Sequence, residues 1–519
     1  MEVRRLLPLG LALSLLAGAA WAQRTYSPPV WITVGAPAAE AGSGRLLLFA
    51  RKADSATAPA SVSADPFFNK DNFVAAREVS GLKTGATLAF YPGDQAYPQP
   101  IDRLPAGDYW VQAVLDRDHS HAYSGRGAGD VLSPVVRLTL PAAAPVTLAL
   151  DSVVPERRSY WERPDGKPMF SAEDRAIVER HVKPFALESK ALSDFHGRLT
   201  RMQGFVLTPP DYDEDTNKRY PVVYFTHGFQ AGMASLADSA AGVLSQTGNK
   251  RLPPMIWVFL DQSLPTGTHE FVDSANNGPW ATALTQELLP DIDRRYRTDK
   301  KAGRYLMGHS SGGWAALWLQ LRHPKLFRGA FATSPDFLDF SGFAGFDLND
   351  PQAVKKDLEM ERMEEVLGEY GGQMQSFEWV FSPRGADGRP LRLYDRQTGQ
   401  VDRAVAAHWL ANYDLSRLVR RQWAAQKAEL DGKLHIYVGD KDEFQLDQGV
   451  RKFESALHDV RGKASIHYVP GKGHFDLYAE GKERMALRRK MGWEIWKIAY
   501  PGSTLADVPP PAAATGTMR

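Results

Sequence analysis

No cysteine occurs anywhere in the 519 residues. This excludes a disulfide framework, a thiol nucleophile, a thiolate zinc site and a lipid-anchored cysteine, so stability must come from ordinary apolar cores. Charge of one sign is lacking as well. With 62 Lys and Arg against 61 Asp and Glu, no global field favours nucleic acid or an anionic membrane as a partner. Long hydrophobic runs are missing beyond the N-terminus, and no later segment is apolar enough to cross a bilayer. What remains, 43% hydrophobic and 24% charged, is the composition of a globular protein long enough for two folded units and a tail.

The N-terminus carries its own signal. Arg4 and Arg5 precede the apolar stretch LLPLGLALSLLAGAA, and Ala20-Trp21-Ala22 places small residues at −3 and −1 of a cut before Gln23. Residues 1–22 read as a secretory signal peptide whose apolar core is shorter than a membrane span requires. The expectation is a secreted or periplasmic protein with no membrane span after cleavage behind Ala22. The paired arginines lack the rest of a twin-arginine signal, so the export route stays open between Sec and Tat.

From residue 23 to 152, short alternating runs such as VWITVGAP, GRLLLFARKA and GDYWVQAVLD are broken by Gly, Pro and Asp. They predict a small antiparallel β-sandwich, and no repeat suggests propeller blades. Residues 153–198 read as a linker and first strands. From 199 to 500, apolar β-branched runs alternate with helical patterns, as in YPVVYFTHGF, PMIWVFLDQ, GRYLMGHS, FRGAFATSP and KLHIYVGDKD. That alternation predicts an α/β fold, a mostly parallel sheet with helices on both faces, whose ligands sit at the carboxyl ends of the strands. An insertion at about 336–430 breaks the rhythm and is placed as a cap over the site. The Pro/Ala/Thr-rich residues 501–519 read as a disordered tail.

The chemistry begins at RYLMGHSSGGWAALWLQLRHP, an apolar strand, a glycine-flanked pair of serines and a helix ending at Pro324. A serine perched on a tight strand-to-helix turn needs small residues two before and two after it, so that strand and helix can approach. Ser310 has Gly308 and Gly312 at those places, whereas Ser311 has His309 and Gly313. Ser310 is therefore the candidate nucleophile. Trp314, Leu317, Trp318 and Leu321 recur at helical spacing and read as core rather than as a substrate platform.

A serine is inert without a base and an orienting acid, and an elbow serine takes both from later strand-end loops. KLHIYVGDKDEF runs from a buried strand into a turn with Asp440 and Asp442, of which Asp442 is favoured and Asp440 held in reserve. VPGKGHFDLY places His474 in a glycine-lined loop after the strand SIHYV. Of 13 histidines it alone has the right order and setting. An oxyanion site needs two backbone N–H groups, and these are assigned to Ser311, after the nucleophile, and to Phe229, after the strand YPVVYFT. His227 is read as bracing that loop. Trp280, in NNGPW, is a candidate wall of the acyl pocket, with plain packing as its alternative. His269, Glu270 and Asp273 have metal-ligand residue types, but no paired-histidine spacing supports zinc, and no metal or other cofactor is expected.

KRYPVVYFTHGF, NNGPWATALTQELLPDIDRRYR, GHSSGGWAALWLQLRHPKLFRGAFATSPD and the late GDKD and GKGH together resemble the esterase D-like branch of the α/β-hydrolases. That branch includes S-formylglutathione hydrolases, feruloyl and acetyl-xylan esterases, siderophore esterases and mycolyltransferases. The resemblance covers roughly Leu199 to Trp496. It implies an α/β-hydrolase fold, a Ser310–His474–Asp442 triad, oxyanion donors at Phe229 and Ser311, and hydrolysis of a small-molecule or glycan-linked carboxylic ester through an acyl-enzyme. A serine peptidase, an acyltransferase to a sugar or lipid alcohol, and a non-enzymatic binding protein are the competing readings. An N-terminal region too short for a propeller counts against the peptidase.

Overall fold

The computed structural model describes residues 28–503, apart from 36–41, 66, 68–70, 72, 120–125, 158, 164–165 and 369–371. The stretch read as a signal peptide and the tail from 504 onward lie outside the described residues. Among the described residues, no helix is long and apolar enough to cross a membrane.

The central element is an eight-stranded sheet in the order 182–188, 201–207, 256–260, 222–226, 304–309, 329–333, 434–439 and 465–469. The first two pairings are antiparallel and all the later ones parallel. The strands read as continuous apolar runs because both faces are covered. Val222 and Tyr224 join one core and Val223 and Phe225 the other. On the first face lie the helices Ser311–Arg322, Leu415–Leu430 and Leu446–Asp459, and on the second Met233–Gly248 and Ala486–Ala499. This is the expected α/β-hydrolase sheet.

Before it stands the all-β sandwich, a three-stranded and a seven-stranded sheet packed through Val30, Ile32, Leu46, Leu48, Val111 and Leu148. One detail departs from the antiparallel expectation. The strand Val30–Val34 pairs in parallel with Val146–Leu150, so the chain enters and leaves this unit side by side. Alternation along a strand says which residues are buried, but not which partner lies beside it.

The outer face of the seven-stranded sheet is apolar too, and what covers it is the insertion. Met363, Val366 and Leu367, on the helix Glu359–Leu367, pack against Leu47, Phe49, Val74, Ala76 and Trp110. Arg45 fixes the end of that helix. Its guanidinium donates to the Val366 carbonyl at 2.8 Å and is held by Glu78 and Gln95 at 2.6 and 2.7 Å. A cation at a helix C-terminus satisfies carbonyls that have no intrahelical donor. On the helix Ser311–Arg322, Trp314 and Trp318 stack at 5.4 Å and meet Phe381 and Tyr413 of the insertion, which makes both tryptophans core.

This packing generates a stability prediction. Met363 is buried where sandwich and insertion meet, so Met363→Ala should cost about 2–5 kcal/mol, read as a lowered unfolding midpoint. A loss under about 0.5 kcal/mol, the size of an indifferent surface substitution, would show that this contact does not hold the two parts together.

Candidate active site

Four neighbouring strands each deliver one side chain to the same end of the sheet. Ser310 follows Arg304–His309, Asp336 follows Gly329–Thr333, Asp442 follows Leu434–Gly439 and His474 follows Ser465–Val469. The loops are tied across the sheet in series. The Ser310 amide donates to the Thr333 carbonyl at 3.0 Å, Ser334 to Tyr437 at 2.8 Å, and Lys441 to Lys472 at 2.9 Å.

Ser310 has φ 57° and ψ −125°, a conformation that a side-chain-bearing residue adopts only where its surroundings enforce it. The enforcement is steric. A Cβ on Gly308 would lie 2.0 Å from the Gly312 carbonyl oxygen, and one on Gly312 would lie 2.5 Å from that of His227. Ser311 is the first residue of the helix Ser311–Arg322 and is fully buried. As the first helical residue, its amide has no intrahelical acceptor. His309 turns aside, with Nδ1 3.1 Å from Thr333 Oγ1 and its ring 4.5 Å from that of His474. Burial, and then the neighbouring His474, lower His309 to about 3, so its imidazole is neutral.

His474 Nδ1 lies 3.0 Å from Asp442 Oδ2. Burial raises the Asp442 carboxyl, but the hydrogen bond and charge of His474 outweigh it and hold Asp442 below the usual carboxylate range. Asp440 does something else. Its Oδ1 accepts the Gly471 amide at 2.7 Å and so braces the turn before the histidine. Glu443 Oε2 accepts the His474 amide at 2.5 Å, a backbone clamp that the sequence reading did not single out.

Asp336 was also missed, and it touches both serines. Ser310 Oγ donates to its Oδ1 at 3.0 Å and Ser311 Oγ to its Oδ2 at 2.6 Å. Burial raises this carboxyl, and the two hydroxyls oppose the shift. The signal was present in ATSPD, an acid just past a buried strand, but the residue opens the insertion and was counted with it.

On the opposite side of Ser310 runs the loop after Val222–Thr226. A Cβ on Gly228 would lie 3.1 Å from that of Ser310, so the Gly228–Phe229 backbone passes directly over the nucleophile candidate. His227 braces this loop as expected. Its Nδ1 donates to the Gly228 carbonyl at 2.7 Å, and its Nε2 lies 2.9 Å from Asp261 Oδ1 and 3.0 Å from the Gln262 amide.

Ser310, His474, Phe229 and Asp336 border one cavity of about 960 Å³. Phe67 and Tyr97, from the β-sandwich, and Met360, Met363, Met374 and Phe377, from the insertion, also border it. Both extra parts of the chain therefore shape this space. Trp280 does not. It is 4% exposed, donates from Nε1 to the Asn277 carbonyl at 2.8 Å and stacks on His269 at 3.6 Å, so its place is the core and not the pocket wall. Its residue type suited either place, and only tertiary packing decides between them. His269, Glu270 and Asp273 form no metal-ligand grouping. His269 lies under Trp280, lowered to about 3 by burial. Asp273 caps the Thr282 amide at 2.9 Å, and burial pushes the Glu270 carboxyl well up.

The family model Esterase, described as "Putative esterase", matches residues 199–485, more than half of the chain. Among solved structures it is similar to a ferulic acid esterase, at 18% identity and TM-score 0.41, over 61% of this chain and 98% of that one. It is also similar to an S-formylglutathione hydrolase from Agrobacterium tumefaciens, at 16% identity and TM-score 0.39, over 61% and 95%. A third is a ferulic acid esterase from Anaeromyces mucronatus in complex with ferulic acid, at 14% identity and TM-score 0.32, over 62% and 89%. No curated protein matches. From the extent of the family match, and with a serine elbow on an α/β-hydrolase sheet, the chain belongs to the esterase family and is a carboxylic-ester hydrolase.

Proposed function

We propose that this protein is an exported serine esterase that works through Ser310, His474 and Asp442 and a covalent acyl-enzyme. The observation that carries the reading is the meeting in one cavity of a strained elbow serine and an imidazole whose Nδ1 is 3.0 Å from a buried carboxylate. Export rests on the signal-like residues 1–22.

As an ester enters, the Ser310 hydroxyl leaves Asp336 and turns to His474. His474 Nε2 takes the proton while Ser310 Oγ attacks the carbonyl carbon, and the amides of Ser311 and Phe229 receive the charge that develops on the oxygen. Asp442 holds the imidazole in the tautomer with its proton on Nδ1 and stabilises the imidazolium. Collapse of the tetrahedral intermediate expels the alcohol, which takes its proton from His474. Water then repeats the sequence on the acyl-enzyme and releases the acid. No step calls for a cofactor.

Two sets of variants test this on a p-nitrophenyl ester. Ser310→Ala should lower turnover by at least ~10³-fold, the scale of a lost triad member. Ser311→Ala, which keeps the amide and loses one hydrogen bond to Asp336, should cost no more than about tenfold. A dead Ser311→Ala beside an active Ser310→Ala would reverse the assignment. Asp442→Asn should lower kcat by about 10⁴-fold through the wrong imidazole tautomer. Asp440→Asn, which weakens only a brace on the loop, should fall far short of that. Equal losses in the two aspartate variants would remove Asp442 from the triad.

A further inference from the structure

The protein as a whole is electrically balanced, but its cavity is not. Asp357, Glu359, Glu361 and Glu443 border it together with Asp336 beside the nucleophile, and the one lysine or arginine among the described bordering residues is Lys355. Lys355 is already engaged within the wall. Its Nζ lies 3.2 Å from Glu361 Oε1 and donates to the Asp357 carbonyl. Glu359 accepts from Tyr97 Oη at 2.9 Å and from Arg362 at 3.3 Å. Glu361 is 1% exposed, and its Oε2 has no hydrogen-bond partner. That oxygen has essentially no exposed surface, so Glu361 contributes charge to the wall rather than an open acceptor.

The remaining wall is aromatic and soft. Phe444 meets the His474 ring edge-on at 4.8 Å, Phe67 packs on Phe444 at 5.1 Å, and Phe475 at the rim is 54% exposed. A cavity that combines carboxylates with aromatic rings attracts a cation by charge and by the ring quadrupole, and a cleft lined by one sign of charge concentrates the field.

We propose that this cavity selects esters that carry a cationic group, an ammonium or a guanidinium, on the acyl or the alcohol side of the scissile bond. The inference rests on the esterase reading above and names its substrate class. Anionic esters are disfavoured by the same carboxylates. Phe67 and Tyr97 place the β-sandwich in substrate selection, together with the acidic segment 357–361 of the insertion.

The test uses two series of matched esters. In the first, the alcohol of a butyrate ester is trimethylammonioethyl, its neutral carbon isostere neohexyl, or anionic sulfonatoethyl. In the second, the same charge change is made at the far end of the acyl chain of a p-nitrophenyl ester. The cationic member of at least one series should exceed its neutral isostere in kcat/KM by about tenfold or more, with the anionic member lowest. That ratio should shrink as salt rises and shrink again in the double variant Asp357→Asn, Glu359→Gln. A ratio near one in both series, or a preference indifferent to salt and to the double variant, overturns the inference and leaves the esterase reading standing. If no ester of either series is hydrolysed, the neutral members included, the esterase reading itself fails.

Discussion

Everything at this site depends on how closely one strand and one helix approach. The strand ending at His309 and the helix beginning at Ser311 can meet at the angle they do only because Gly308 and Gly312 carry no side chain. The reward of that contact is Ser310 at φ 57°, lifted out of the sheet toward the neighbouring loops. Strain of this kind persists only where packing over-determines it. Here the pin is double, through the Thr333 carbonyl below and the Asp336 carboxyl beside the hydroxyl. Adjacent parallel strands then do the rest, since their carboxyl ends fall in line and each brings one functional group into reach.

Around that fixed core the chain has built a wall from two sources. The insertion helix Glu359–Leu367 buries one side on the β-sandwich, and residues of the same helix border the cavity on another. The sandwich is therefore continuous with the site and not a separate module hung from the enzyme. Arg45 is the visible joint between the two, satisfying helix-end carbonyls from within a strand. The interface and the cavity wall share residues, Met363 above all.

How much of this was legible in the sequence follows from the range of the interactions. The elbow was legible because its constraint is local, three residues and the space between them. Order along the chain pointed to His474 and to the loop that holds both Asp440 and Asp442, since one loop follows each strand, and it is the 3.0 Å approach to His474 Nδ1 that separates Asp442 from Asp440. Glu443 and Phe67 were not legible, for their roles come from contacts made across the sheet or between the two folded parts, where spacing carries no information, and Asp336 showed only as an acid past a buried strand, without its two serine partners. Trp280 shows the converse limit. An aromatic residue near a site loop reads the same whether it faces substrate or packs on His269, and only the neighbours distinguish the two.

The proposed reaction rests on one atom, Ser310 Oγ, forming a bond to an acyl carbon. The most direct measurement is peptide mapping by mass spectrometry after rapid acid quench of the protein mixed with a slowly deacylating ester. The prediction is a single acyl adduct whose fragments place it on Ser310, absent when the protein is unfolded before mixing. An adduct on Ser311, or turnover of the same ester with no covalent adduct at any time, would contradict it.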